Sequence, residues 1–136
     1  MQVIAAPVHD GTQIQQVIED LSHEPNSGLL LTPDSFTAGH NDLIIALVAR
    51  RGLPTIYANS ELAVRKGGLM FYGVDFEPEY RQAAVYANSI LKGTAPGDLP
   101  IQLPTNFKLI VNLKTARALG IEAPMGLMLR ADELIE

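Results

Sequence analysis

The sequence contains no cysteine and no tryptophan. Without cysteine there are no disulfides, no thiol nucleophile and no thiolate metal ligand, and both reducing and oxidising compartments stay open. Basic residues are few and scattered, and the formal net charge is -5 with a pI near 5.1, so the clustered positive face that nucleic-acid phosphates require is missing. Charged residues make up only 18% of the chain against 47% hydrophobic, which argues against disorder and implies that part of the surface meets another surface. No stretch approaches the roughly eighteen apolar residues of a membrane helix. Met1 leads straight into QVIAAPV, with no basic segment, long apolar core or small-residue cleavage site, so no export signal is expected in the chain as written.

Several chemistries are also without their motifs. There is no GxGxxG after a strand and no GxxxxGK(S/T), so no phosphate cradle. Ser35 lies in PDSFT rather than in a GxSxG elbow, which removes support for a serine hydrolase. His9, His23 and His40 lack metal-ligand spacing, and their neighbours Asp10 and Asp42 make only generic pairs. Surface or cap roles are expected for all three, with no metal and no cofactor. A phospho-acceptor pocket would need an acidic pair after the first strand, and Asp10 with Asp34 does not supply one.

What is present is organised around residues 28–59, a strand, a crossover helix and a second strand. Residues 28–31 form a short apolar run without polar alternation, as in a parallel strand buried on both faces. Pro33 and Asp34 end it. Ser35, Thr37 and Asn41 offer oxygens to the first N–H groups of a helix carrying Leu43, Ile44, Leu47 and Val48, which Gly52 and Pro54 close before a strand at 55–57. Upstream, 3–8 reads as a first strand. Ile14, Val17, Ile18 and Leu21 then make an amphipathic helix over 12–23 with Thr12 as its cap.

Downstream, one or two helical turns at 59–66, a break at Gly67 and Gly68, and a fourth strand at 69–72 precede a long helix. Pro78 sits in its first turn, Gly93 is its C-cap, and Tyr80, Ala83, Ala84, Ala87, Ile90 and Leu91 form its buried stripe. Pro96, Pro100 and Pro104 mark an extended crossing segment that is not helical. A strand at 107–111, a short helix capped by Asn112 and ended by Gly120, and a tail from Pro124 with an apolar run, Leu127 to Leu129, before a polar, helical ending complete the chain. The alternation of strands and helices predicts an α/β fold with an open, mostly parallel sheet and flanking helices. The expected division is 1–93 as the α/β ligand-binding lobe and 94–136 as the crossing segment, strand, helix and tail.

In such sheets, ligands lie beyond the carboxyl ends of the strands. The loop holding Thr32, Pro33, Asp34, Ser35 and Phe36 leaves the first strand of the central unit, Tyr57 and Asn59 end the next, and Tyr72 and Asp75 end the one after. Asp34, Ser35, Phe36, Tyr57, Asn59, Tyr72 and Asp75 are therefore the candidate ligand contacts, with no catalytic residue among them. Turn and cap duty is the alternative for Asp34, Ser35 and Thr37, and core packing is the alternative for both tyrosines.

The pieces GGLMFYG, ILKG, GDLP, PTNFKLIVNLKTARALG and LRADELIE, continued upstream by PDSFTAGHNDLIIALVARRGLPTIY, resemble the carboxyl-terminal part of ABC-transporter substrate-binding proteins of the tryptophan- and tyrosine-binding-lipoprotein group. That resemblance implies one lobe of a type I periplasmic-binding fold, a small-molecule solute such as an amino acid, an ABC permease as partner of the full-length parent, a site outside the cytoplasm for that parent, and no catalysis. It also implies a truncated chain, since the first lobe and the strand before QVIAAPV have no counterpart here. Two other readings stand beside it. The apolar surface left by a missing lobe would make the chain a homodimer, by exchange of the long helix or of the tail beyond Pro96. An enzyme of unknown type on a doubly wound sheet rests on fold analogy alone.

Overall fold

The computed structural model describes residues 2–136. Asp10, rather than the expected Thr12, caps the first helix, α1 (Gly11–Ser22), by accepting the Gln13 N–H at 2.8 Å; Thr12 already lies inside the first turn. The stripe on α1 buries Ile14 and Ile18 and half-buries Val17 and Leu21.

Three short parallel strands follow, β1 (Leu29–Leu31), β2 (Thr55–Tyr57) and β3 (Met70–Val74). Parallel neighbours need crossovers. Between β1 and β2 the crossover is two helices rather than the single one expected. Asp34 accepts the Phe36 and Thr37 N–H groups and starts α2 (Ser35–Gly39); His40, at φ -107 and ψ 11, breaks the run before α3 (Asn41–Arg51). Gly52 closes α3 in the left-handed conformation, φ 65, which favours glycine. From β2 to β3 the connection is α4 (Glu61–Arg65) and the expected glycine break.

The sheet order is β1-β2-β3-β4-β5, with β4 (Phe107–Asn112) parallel to β5 (Glu133–Ile135). The Asn112 N–H donates to the Leu69 carbonyl and the Asp75 N–H to the Asn106 carbonyl, the crossed order of an antiparallel β3–β4 pair. The sheet is thus open and mostly parallel, an α/β fold as the alternation implied. Asn112 caps α6 (Leu113–Ala118) as expected, accepting the Thr115 N–H at 2.9 Å, while its own Nδ2 donates to the Val64 carbonyl.

Four expectations are corrected. Residues 3–8 form no strand: Val3 and Ile4 are exposed, since β-propensity becomes a strand only beside a ladder partner. The tail is a strand, not a helix, after the short helix α7 (Met125–Met128). The Asp132 N–H donates to the Leu109 carbonyl and the Leu109 N–H to the Asp132 carboxylate, which hold that strand against the edge of β4, and a two-pronged Arg65–Glu133 ion pair at 2.7 and 2.8 Å ties it to α4. β1 is not buried on both faces: Leu31 is 7% exposed but Leu30 60%. The stripe of the long helix α5 (Phe76–Leu91) buries nothing, because no element of its own unit faces it.

The chain divides into two compact units: the described residues up to Gly73 together with Leu109–Glu136, and Val74–Lys108. The boundary expected at 93/94 falls inside the second. The first unit holds the core, in which Ile14, Ile18, Ile44, Val48 and Val64 from α1, α3 and α4 pack on Leu31, Tyr57, Phe71 and Ile110 on one face of the sheet. In the second, Asp75 caps α5, Pro78 lies in the first turn, and Gly93 takes φ 101 just past the end. A 3-10 turn (Pro96–Asp98) interrupts the crossing segment, and the Tyr86 hydroxyl donates to the Pro100 carbonyl at 2.6 Å. No residue in 74–108 is buried. No helix among the described residues is long and apolar enough to cross a membrane.

Candidate functional site

Strand residues alternate between the two faces of a sheet. The register places Leu30 beside Ile56 and Ile56 beside Met70, all on the face opposite the α1, α3 and α4 helices, while Leu31, Tyr57 and Phe71 take the helix-covered face. Over the uncovered row lies a pocket of about 490 Å³. Its floor is Leu30, Ile56, Met70 and Leu109. Its far wall is Leu127 and Arg130, from α7 and the second residue beyond its end. Its upper edge is Thr32 and Pro33 after β1, Ala58 after β2, and Tyr72 near the end of β3. The carboxyl ends of three parallel strands therefore share one concavity, the place where open α/β sheets hold ligands.

The candidate residues take different roles. Tyr72 lines the pocket and is 56% exposed. Asp34, Ser35 and Phe36 follow directly on the lining residues Thr32 and Pro33. The Asp34 carboxylate accepts the Phe36 N–H at 2.9 Å and the Thr37 N–H at 3.0 Å, and these backbone donors, Thr37 first, hold its carboxyl below the ordinary aspartate range. The Phe36 ring lies 4.4 Å from the His40 ring, and His40 Nδ1 is 2.8 Å from the Phe36 carbonyl. His40 and His23 thus sit at helix ends, and His9 bonds through its backbone N–H to Gln13. Among the described residues no three His, Asp or Glu side chains gather as a metal set.

Asn59 ties the rim together. Its Nδ2 donates to Thr37 Oγ1 at 3.1 Å and to Asn41 Oδ1 at 3.2 Å, joining the end of β2 to α2 and to the start of α3. Asn41 is itself buried, and Asn59 Oδ1 is buried without a partner among the described residues. Tyr57 points the other way. Its ring is fully buried on the helix-covered face, its hydroxyl finds no partner among the described residues, and burial pushes its pKa far above the ordinary phenol value. Gly68 makes room for that ring: a Cβ there would lie 2.6 Å from Tyr57 Cε2 and 2.9 Å from the Ala63 carbonyl oxygen. Asp75 belongs to the second unit, where it caps α5.

Reasoning from sequence marked the apolar run Leu127 to Leu129 but made neither Leu127 nor Arg130 a site candidate, because LRADELIE read as a polar ending. The usable signal was Arg130 itself, a lone cation between an apolar run and a strand.

Comparison with known proteins agrees with this architecture. The family model described as ABC transporter substrate binding protein matches residues 1–135. A tyrosine-binding protein of Clostridioides difficile (strain R20291) is 25% identical over 121 residues, covering 89% of this chain and 34% of that protein. The crystal structure of a conserved domain protein from Vibrio cholerae O1 biovar El Tor superposes with a TM-score of 0.79 at 24% identity, over 91% of this chain and 41% of that one. An ABC domain in complex with L-Trp from Streptococcus pneumoniae superposes with a TM-score of 0.78 at 20% identity, over 94% of this chain and 44% of that one. The chain thus spans about a third of the curated relative and about two fifths of the solved chains, whose likeness shows the fold. With its whole length matched and its strand ends converging on one concavity, the chain belongs to the ABC transporter substrate binding protein family.

Proposed function

We propose that this chain provides one wall of a solute-binding cleft in an ABC importer and that the solute is an amino acid with a large apolar side chain. The observation that carries this reading is the shared pocket at the carboxyl ends of β1, β2 and β3, whose floor is a row of aliphatic side chains. Support for the ligand class comes from the relatives, one a tyrosine-binding protein and one solved with L-Trp. Asp34, Ser35, Phe36 and Tyr72 are the contacts we assign to the wall. Tyr57 and Asn59 hold the rim in shape, and Asp75 remains a candidate by its place after β3.

In this reading the chain is the carboxyl-terminal portion of a longer, exported or membrane-anchored protein that works beside an ABC permease and performs no catalysis. Calorimetric titration of the chain with L-tryptophan, L-tyrosine and L-leucine tests the wall. Saturable heat with at least one of them is expected, and no heat from any of the three at millimolar concentration defeats the proposal. A second reading, self-association, is favoured by the open sheet face and by an α5 on which Tyr80 and Leu91 are 74% and 87% exposed. Sedimentation equilibrium decides it, and a monomer at micromolar concentration ends it.

A further inference from the structure

Resting on the solute-capture reading, we propose that the open-face pocket recognises a hydrophobic monocarboxylate and that Arg130 holds its carboxylate. Arg130 is the only charged side chain in the pocket lining. Its guanidinium makes no hydrogen bond or ion pair with any described residue, whereas Arg51, Arg65, Lys66 and Arg81 are each paired with an acid. The two acids that follow it in the chain are already engaged. Asp132 accepts the Leu109 N–H at 2.8 Å, and Glu133 takes the fork of Arg65.

Those bonds also fix where Arg130 stands. Asp132 is anchored on β4 through both its backbone N–H and its carboxylate, and the Arg130 N–H closes the turn onto the Leu127 carbonyl at 3.1 Å. The backbone at Arg130 is thereby held on both sides, beside the apolar floor of Leu30, Ile56, Met70 and Leu109, while the residue itself is exposed. A guanidinium offers a planar fork that fits a carboxylate with two parallel bonds, and such bonds strengthen beside apolar surface. A volume of about 490 Å³ lies in the range of small-molecule sites and suits a ring-bearing or branched side chain.

The same lining makes a second statement about the ligand. It contains no aspartate or glutamate, so an ammonium group has no charged partner within it. Within this lining the carboxylate is the recognised charge, and an α-amino group is not required by it.

Titration of the full chain with 3-indolepropionate, its carboxamide, tryptamine and L-tryptophan tests both statements. The acid and L-tryptophan are expected to bind comparably, the carboxamide about ten- to a hundredfold more weakly, as for loss of a charge-assisted hydrogen bond, and tryptamine no better than the carboxamide. R130Q should remove the preference for acid over amide while leaving the affinity for the amide unchanged, and R130K should restore part of it. If L-tryptophan binds but acid and amide are equal, or R130Q keeps their ratio, Arg130 is not the carboxylate residue, and solute capture stands. If none of the four binds, the inference falls together with the reading it rests on. Should R130Q fail to fold, the acid-to-amide ratio of the unsubstituted chain decides alone.

Discussion

Replacing Tyr57 by phenylalanine should make the protein more stable. The ring is 0% exposed and sits between α4 and the sheet, so the aromatic packing survives the change. What is lost is a hydroxyl that is buried without a hydrogen-bond partner among the described residues. Burying such a group unsatisfied costs about 1–3 kcal/mol, so Tyr57→Phe should raise the unfolding free energy by about 1 kcal/mol or more. Urea unfolding reads this directly: the midpoint should move up with the slope unchanged, because the surface exposed on unfolding is the same. Tyr57→Ala sets the scale from the other side, with an expected loss of about 3–5 kcal/mol for an emptied aromatic site.

A pH series gives a second, independent reading. Burial disfavours the phenolate, so the folded protein holds the Tyr57 proton more tightly than the unfolded chain does. The stability that follows from neutral Tyr57 is complete below the ordinary phenol value near pH 10 and is lost as pH rises above it. The phenylalanine variant should lack that alkaline decline. Affinity for any ligand of the open-face pocket should not change, since the ring lies on the opposite side of the sheet. A variant destabilised by 1 kcal/mol or more would refute the reasoning, as it would show the hydroxyl to be satisfied in solution.

Asn59→Ala should cost about 1–3 kcal/mol in urea unfolding, since it strips the donor from buried Asn41 and from Thr37, and a cycle with Asn41→Ala should show coupling of about 0.5 kcal/mol or more. Additive single variants would mean that the two side chains do not meet. Gly68→Ala should be destabilising by about 1–3 kcal/mol, because the new methyl group meets both the Tyr57 ring and the Ala63 carbonyl oxygen; in the Tyr57→Ala background, with the ring gone, the penalty should shrink. Acid titration followed by circular dichroism should show a step due to Asp34. Its folded pKa is depressed, so its contribution is present above the ordinary aspartate value and is lost as pH falls through the lower folded one; Asp34→Asn should flatten that step.

How far the fold was legible depends on whether each signal is local. The α1 stripe, the Gly52 stop and the Asn112 cap need only neighbouring residues, and all three are in place. Residues 3–8 and the α5 stripe have the right chemistry for a strand and a packed helix, yet a strand needs a ladder partner and a stripe needs a facing surface, and neither is written in the segment itself. The ELI of β5 is too short for any period to show, and its pairing with β4 comes from Asp132, a residue that looks like one more surface acid.

The site separates along the same line. Loops at strand ends follow from the order of elements, so the rim of Thr32, Ala58 and Tyr72 was within reach of sequence reasoning. Which face of the sheet lies open was not, because LLL places the same residue type on both sides. The two tyrosines show what decides it. Tyr57 pairs with Phe71, so Tyr72, one residue further along β3, must project from the other face. A one-residue slip of β2 against β3 would pair Tyr57 with Tyr72 or Met70, bringing Tyr57 onto the open face beside Tyr72 and its ring out of the core. Packing fixes the register against that slip: Gly68 leaves space for the Tyr57 ring on the helix-covered face, where Leu31 and Phe71 flank it. The face that carries the pocket is therefore chosen by core residues that do not line it, Gly68 among them, since it makes room for the Tyr57 ring.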